Sequence, residues 1–452
     1  MSLPMKLKLS RRSFLKRTAS AAAAAVVAPM IVPASVLGRD GTVAPSNRIT
    51  IGFIGTGRQA LYANIPGFLY QPDAQVVAVC DVDSWRMGKA RQKVEDYYAD
   101  QRTSGTFKGC ATFRDWRDLI ARKDIDAVMI STPDHWHALM ASAALRAAKD
   151  VSCEKPLTRN VAEGRLLADL VVKHQRVFCT DSEFRANRKC HLAAELVRNH
   201  KIGKLQRIIT ATPKDTTLPA QPDQPLPEEL DYEMWLGPAP KAAYTGKRVH
   251  PLHDEVARPG WISIRDYADG MLANWGAHLN DIAMWANNTE HTGPVEVEAT
   301  GKYPLAGNLW NVIQEFKAHF RFANGVQLTC KSDKPYLRFE GTEGWIQVDY
   351  PGHFTSSIQE LAGWKPGSGD ISLPKMESEK RDFLDAVKSR RQPQYSAEGG
   401  HRNATLSHLA LTSIDLGRKL QWDPVKEKVI GDEAANQHLA PKPMRAPWKL
   451  EV

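Results

Sequence analysis

Two stretches of this chain hold residue types in an order that chemistry uses. Gly55-Thr56-Gly57-Arg58-Gln59-Ala60 is a G-x-G-x-x-A run. Its first glycine permits a tight turn, and its second lets the backbone approach a pyrophosphate held at a helix N-terminus. Asp81, at the end of the next apolar run, is placed to accept hydrogen bonds from adenosine ribose hydroxyls, which favours NAD and repels a 2′-phosphate. Arg58 and Arg86 are the counter-signal, since either can pair with a 2′-phosphate, so NADP stays open. The second stretch is Asp269 to Asp281. If it is helical, Asn274, His278 and Asp281 fall at i, i+4 and i+7, aligning an amide, an imidazole and a carboxylate on one face. Met271, Leu272, Leu279, Ile282 and Trp285 flank them, which fits a half-buried helix lining a pocket.

These residues need elements to hold them. Short β-branched runs at 48–54, 75–80, 125–130 and 150–153 read as buried strands alternating with helical segments. That rhythm predicts a doubly wound parallel sheet whose ligands sit at the carboxyl ends of its strands. The ends carry Gly55, Asp81, Ser131-Thr132-Pro133-Asp134-His135-Trp136-His137 and Glu154-Lys155-Pro156-Leu157. His135 and His137 look like a metal pair, but no third ligand lies nearby, so they read as helix capping or nicotinamide contacts and no metal is expected. The fold class expected is α/β: a Rossmann domain over 47–176, then an α+β domain over 177–452 with a large, mostly antiparallel sheet. In the second domain 213–260 reads as a long structured loop over the cleft. Phe316, Ala318, Phe320 and Phe322 alternate with Lys317, His319 and Arg321, and Asn324-Gly325 predicts a type I′ hairpin turn. Helices are expected near 376–390 and 399–420.

GFIGTG, Asp81, STPDHWH and CEKPL, in this order, resemble the Gfo/Idh/MocA oxidoreductases, from about residue 48 to the end. The resemblance implies that Lys155 lies beside the nicotinamide and the reacting carbinol, where partial desolvation would lower its pKa for proton transfer. It also implies a cis Lys155-Pro156 bond, a substrate-side Arg185, and a His278/Asp281 pattern in which Lys155 and His278 form the acid/base pair. Asn274 departs from that pattern by standing where many dehydrogenases carry an aspartate, and a neutral amide cannot raise a histidine's basicity. The expected cofactor side is Gly55, Gly57, Arg58, Gln59, Asp81, Ser131, Pro133, His137, Glu154 and Lys155, and the expected substrate side is Arg185, Asn274 and Asp281. The family's sheet often supports oligomers, so a homo-oligomer is expected.

The chain has 452 residues and a formal charge of +9. The first 38 residues hold six basic residues and no acid, leaving 54 basic against 51 acidic in the rest, so no broad phosphate-binding field and no nucleic-acid partner is expected. Ser10-Arg11-Arg12-Ser13-Phe14-Leu15-Lys16 resembles a twin-arginine export signal. The weakly apolar run after it is broken by Pro29 and Pro33 and is too short for a stable membrane span, with a cut expected near Gly38. Residues 1–38 are therefore expected to engage the twin-arginine translocase and deliver a folded protein to the periplasm or beyond. Six cysteines are too few for a disulfide scaffold, and Cys80, Cys153, Cys179 and Cys330 fall in expected strands as buried thiols. Free NAD is scarce outside the cytoplasm. The expectation is thus an exported oxidoreductase acting on a carbohydrate or cyclitol hydroxyl with a tightly held, internally recycled nicotinamide, similar to glucose–fructose oxidoreductase. The alternatives are an NAD-dependent glycosidase or lyase working by transient oxidation and elimination, and a non-catalytic sugar-binding protein.

Overall fold

The computed structural model describes residues 47–451, so the expected export signal lies outside the described residues. The first layer is a parallel sheet of β1 (Ile49–Ile54), β2 (Ala74–Cys80), β3 (Ala111–Phe113), β4 (Ala127–Ile130), β5 (Asp150–Glu154) and β6 (Phe178–Asp181). Their order is β3-β2-β1-β4-β5-β6. Strands buried on both faces need apolar side chains throughout, and β1 and β4 meet that demand with Ile, Phe, Val and Met at 0–1% exposure over Ile51–Ile54 and Val128–Ile130. The run 176–180, expected to open the second domain, instead completes this sheet. β6 pairs in parallel with β5 from Val151–Phe178 to Glu154–Asp181. The reason is that Phe178 and Cys179 are both buried but in opposite packing layers, as the two-residue period of a doubly covered strand requires.

The helix after β1 contains a π-helical turn, Ala60–Asn64, before an α-helical turn, Ile65–Leu69, with Pro66 in its first positions. Pro66 has no N–H to give, and the wider turn accommodates it.

The second sheet has nine strands: β7 (Leu205–Thr212), β8 (Pro294–Lys302), β9 (Glu315–Phe322), β10 (Gln327–Ser332), β11 (Tyr336–Gly341), β12 (Trp345–Asp349), β13 (His353–Ser356), β14 (Leu420–Asp423) and β15 (Lys428–Val429). In the order β13-β12-β11-β7-β10-β9-β8-β14-β15, every neighbouring pair is antiparallel except β7 with β10. β9 alternates strictly between exposed and buried residues, with Phe316, Ala318, Phe320 and Phe322 inward. Helices 188–198, 276–286 and 397–416 cover that apolar face through Leu196, Leu279, Ile282, Leu406 and Leu409. The β9–β10 turn is not type I′. Gly325 has φ +88° while Asn324 keeps a negative φ, and Gly325 N–H donates to the Phe322 carbonyl at 3.0 Å. That is a type I turn closed by a glycine bulge, which needs one left-handed residue instead of two.

The C-terminal helices fall at Glu379–Ser389 and Ala397–Leu416. The first of them returns to the Rossmann layer, where Phe383 meets Phe68 edge to face at 6.2 Å. All six cysteines are free thiols and buried.

Candidate active site

The sheet order lines up the strand ends that carry polar residues. From β2 to β6 these are Asp81, Gly55, Ser131, Glu154-Lys155 and Ser182-Glu183. All but Ser182 border one cavity of about 490 Å³, which is also lined by Arg58, Gln59, Pro133 and Asp134, by residues within 249–262, and by Asn274, Trp275, His278 and Tyr350. Strands about 4.8 Å apart make this a row roughly 19 Å long. It runs from a carboxylate at one end to a lysine and a histidine at the other.

At the carboxylate end, Gly55 has φ +88°, and a Cβ there would lie 2.7 Å from the Ser131 backbone. Only glycine fits. Asp81 Oδ2 accepts from the Thr56 N–H at 2.6 Å and the Thr56 hydroxyl at 2.9 Å, while Oδ1 accepts from the Asp83 N–H at 2.9 Å. The carboxylate therefore shapes the turn as well as bordering the cavity. A Cβ on Gly57 would lie 2.8 Å from the His250 ring, and the Arg58 N–H at the helix start reaches His250 Nε2 only at 3.4 Å. His250 covers the place where this helix N-terminus offers its N–H groups to an anion. Burial drives the His250 pKa well below the ordinary histidine value, with Arg86 and Arg58 adding to the effect, so the ring is neutral. The two arginines that could read a 2′-phosphate both border the cavity and are each only partly engaged. Arg58 Nε donates to the Val256 carbonyl at 2.7 Å, and Arg86 donates to the Pro251 and Asp254 carbonyls at 2.7 and 3.0 Å.

At the other end, the Lys155-Pro156 bond is cis. Glu154 is held from both sides: Oε1 accepts from Asn64 Nδ2 at 2.8 Å and Oε2 from the Lys155 N–H at 3.3 Å. Asn64 also donates to Ser131 Oγ and accepts from Lys380 Nζ at 2.9 Å, and Lys380 in turn pairs with Asp181 at 2.7 Å. The stretch 269–281 forms two helices, Gly270–Asn274 and Gly276–Ala286, joined through Trp275. Asn274 and His278 line the cavity. His278 is 7% exposed and stacks on Phe184 with ring centroids 4.4 Å apart. Its Nδ1 lies 2.7 Å from Ser182 Oγ and 3.8 Å from Glu183 Oε2. Burial pulls its pKa down to about 4, Glu183 opposes that and Lys155 adds to it, so the ring is a neutral base at ordinary pH. Asp134, a buried carboxyl bordering the cavity, is pushed up to about 8 by burial against the opposing pull of Arg159 and Lys155.

Three residues expected in the site lie elsewhere. Arg185 and Asp281 form a buried bidentate pair, Nε–Oδ2 at 2.7 Å and Nη2–Oδ1 at 2.6 Å, with side chains 4% and 2% exposed. Asp281 shares the helical stripe but sits nearly a turn beyond His278, where Arg185 closes on it, so neither side chain lines the cavity. His137 is fully buried, with Nδ1 and Nε2 at 2.9 and 3.0 Å from the Pro156 and Thr132 carbonyl oxygens. It ties two strand-end loops together from behind and makes no cavity wall.

Residues 49–182 match the model described as oxidoreductase family, NAD-binding Rossmann fold, and residues 216–450 match that of its C-terminal alpha/beta domain. The chain belongs to the Gfo/Idh/MocA oxidoreductase family. Within the Gfo/Idh/MocA family it is 25% identical to a levoglucosan dehydrogenase of Pseudarthrobacter phenanthrenivorans over 311 residues, 66% of this chain and 72% of that one. It is 26% identical to a glycosyl hydrolase family 109 protein of Shewanella baltica over 208 residues, 44% of each chain. An aldose-aldose oxidoreductase of Caulobacter crescentus shares its fold, with TM-score 0.59, 17% identity, and coverage of 83% of this chain and 99% of that one. As in a Gfo/Idh/MocA Rossmann domain, the cofactor is NAD. The residues present fit it: a turn that admits only glycine at Gly55 and a carboxylate, Asp81, at the β2 end.

Sequence reasoning passed over Ser182, Glu183, Asn64 and the aromatic group of Phe184, Trp275 and Tyr350. Asn64 had a signal, a lone amide in an apolar helix. Glu183 stood beside Arg185, whose family match drew the attention.

Proposed function

We propose that this protein oxidises a hydroxyl of a carbohydrate or cyclitol, with Lys155 and His278 handling the proton. The observation that carries the reading is their convergence, with Asn274, on the cavity that also holds the glycine turn and Asp81. Bound NAD supplies the hydride acceptor. Among the described residues no hydrogen bond engages Lys155 Nζ or His278 Nε2, which leaves both to bind a hydroxyl, and His278, neutral at ordinary pH, can take its proton. Asn274 offers both a donor and an acceptor to a neighbouring hydroxyl. Trp275 and Tyr350, edge to face at 4.9 Å, give the cavity an apolar wall suited to a sugar ring face. The levoglucosan dehydrogenase relative supports this substrate class.

We further propose that NAD is held tightly and recycled within the site of an exported protein. Support for retention comes from 249–262, which borders the cofactor end of the cavity and is tied to the Rossmann domain by Arg58, Arg86 and the Lys89–Glu255 ion pair. Support for twin-arginine export comes from the residues around Arg11-Arg12. Glycoside cleavage is the second reading, favoured by the family 109 relative, while the neutral amide at Asn274 is compatible with either chemistry.

Mass spectrometry of the ligand released on denaturing purified protein tests retention, with stoichiometric NAD expected and absence of any nucleotide overturning it. Product analysis separates the two chemistries: an oxidised sugar paired with a reduced one supports the first, and a cleaved glycoside with no net oxidation supports the second.

A further inference from the structure

A histidine that takes a proton becomes a cation, and in a site as enclosed as that of His278 this needs a counter-charge. Its own helical stripe supplies none. Asn274, one turn before it, is neutral, and the carboxylate of Asp281 is consumed by two hydrogen bonds from Arg185. The carboxylate within ion-pair reach of the ring comes from another element: Glu183, just past β6, with Oε2 3.8 Å from Nδ1.

We propose that Glu183 is the positioning residue for His278, standing in for the acid that Asn274 is not. It acts on the Nδ1 side together with Ser182, whose Oγ lies 2.7 Å from Nδ1, and Phe184 fixes the ring plane by stacking. Three consecutive residues of one short segment thus orient the imidazole. With Nδ1 carrying its proton toward Ser182 and Glu183, Nε2 keeps its lone pair for the substrate hydroxyl, and the charge formed on proton uptake is met by the carboxylate. The other charged group acting on the ring is Lys155, which disfavours the imidazolium, so Glu183 is the charge that opposes it. Partial burial works against the charge on Glu183, whose side chain is still 59% exposed, but nearby positive charge, that of an imidazolium at His278 and of Lys155, holds its carboxyl below the ordinary glutamate range.

The inference rests on the oxidoreductase reading for its kinetic arm, so one readout uses the resting protein without sugar. In wild-type holoenzyme, 15N spectra of the His278 ring at neutral pH are expected to show the Nδ1–H tautomer. Glu183→Gln should shift the ring toward the Nε2–H tautomer and lower kcat about tenfold, the equivalent of roughly one unit of histidine basicity, with KM changed less than about twofold. Adding Asn274→Asp to Glu183→Gln should recover most of the lost kcat. Unchanged ring spectra and unchanged kcat in folded Glu183→Gln would overturn the proposal, as would a double variant no better than the single. If no sugar supports turnover in the wild type, the function fails while the spectral test of Glu183 still stands.

Discussion

Replacing Arg185 with methionine separates a structural role from a substrate-binding one. In the structure Arg185 gives Asp281 two hydrogen bonds at 2.6 and 2.7 Å, donates to the Gln394 carbonyl at 2.6 Å and lies over the Trp285 and Tyr395 rings at 4.9 and 5.2 Å. Methionine fills much of the volume but leaves Asp281 buried beside no cation. Breaking a buried pair from one side costs about 3–5 kcal/mol. An unfolding entropy near 2.1 cal/mol/K per residue gives about 0.85 kcal/mol/K for roughly 400 residues, so Tm should fall by about 4–6 °C. Removing both charges, in Arg185→Met/Asp281→Leu, should recover at least half of that loss, because the larger part is the stranded carboxylate. The assay is thermal unfolding by calorimetry beside steady-state kinetics on the folded enzyme. A single variant with unchanged Tm and a KM raised by an order of magnitude would refute the reasoning and return Arg185 to the substrate.

Other outcomes follow from the same geometry. Gly55→Ala places a Cβ 2.7 Å from the Ser131 backbone at φ +88°, so isothermal titration should find NAD binding lost, with stability lowered by about 2–4 kcal/mol. Because burial depresses the His278 pKa to about 4, the base stays neutral above that value and is lost only as pH falls through it. The acid limb of kcat/KM should therefore lie below about pH 5, not near the ordinary histidine value of about 6.5, as a pH–rate profile on stable protein would show. His250→Ala uncovers the helix start at Arg58, and stopped-flow binding should show faster NAD association with the apoprotein.

What the sequence made legible was the part governed by local rules. The glycine turn, the buried strands and the alternating β9 follow from backbone sterics and side-chain period, and the structure has them where those rules put them. The strand ends could be read as a row because parallel sheets place ligands there. Apart from the β9–β10 turn type, a local misreading, errors arose where a residue's role depends on a distant partner. Nothing near Asp281 announces that Arg185, 96 positions earlier, takes both of its oxygens. His137 reads as a site residue until the Pro156 carbonyl is seen against its ring. The strand at 178–181 could not be assigned to the first sheet from its own residues, since pairing with β5 is a tertiary fact. Glu183 was invisible for the same reason: its distance to His278 exists only once β6 and the helix 276–286 are brought together.

The central claim is that Lys155 and His278 act on a substrate hydroxyl beside a nicotinamide held by the turn at Gly55 and Gly57. It is tested most directly by adding a panel of pyranosides and cyclitols to purified protein and following the absorbance of the reduced nicotinamide. The account predicts reduction in the wild type with at least one member of the panel, and a rate at least a hundredfold lower, in order of magnitude, in Lys155→Ala with cofactor still bound. A Lys155→Ala protein that reduces its nicotinamide as fast as the wild type would contradict it.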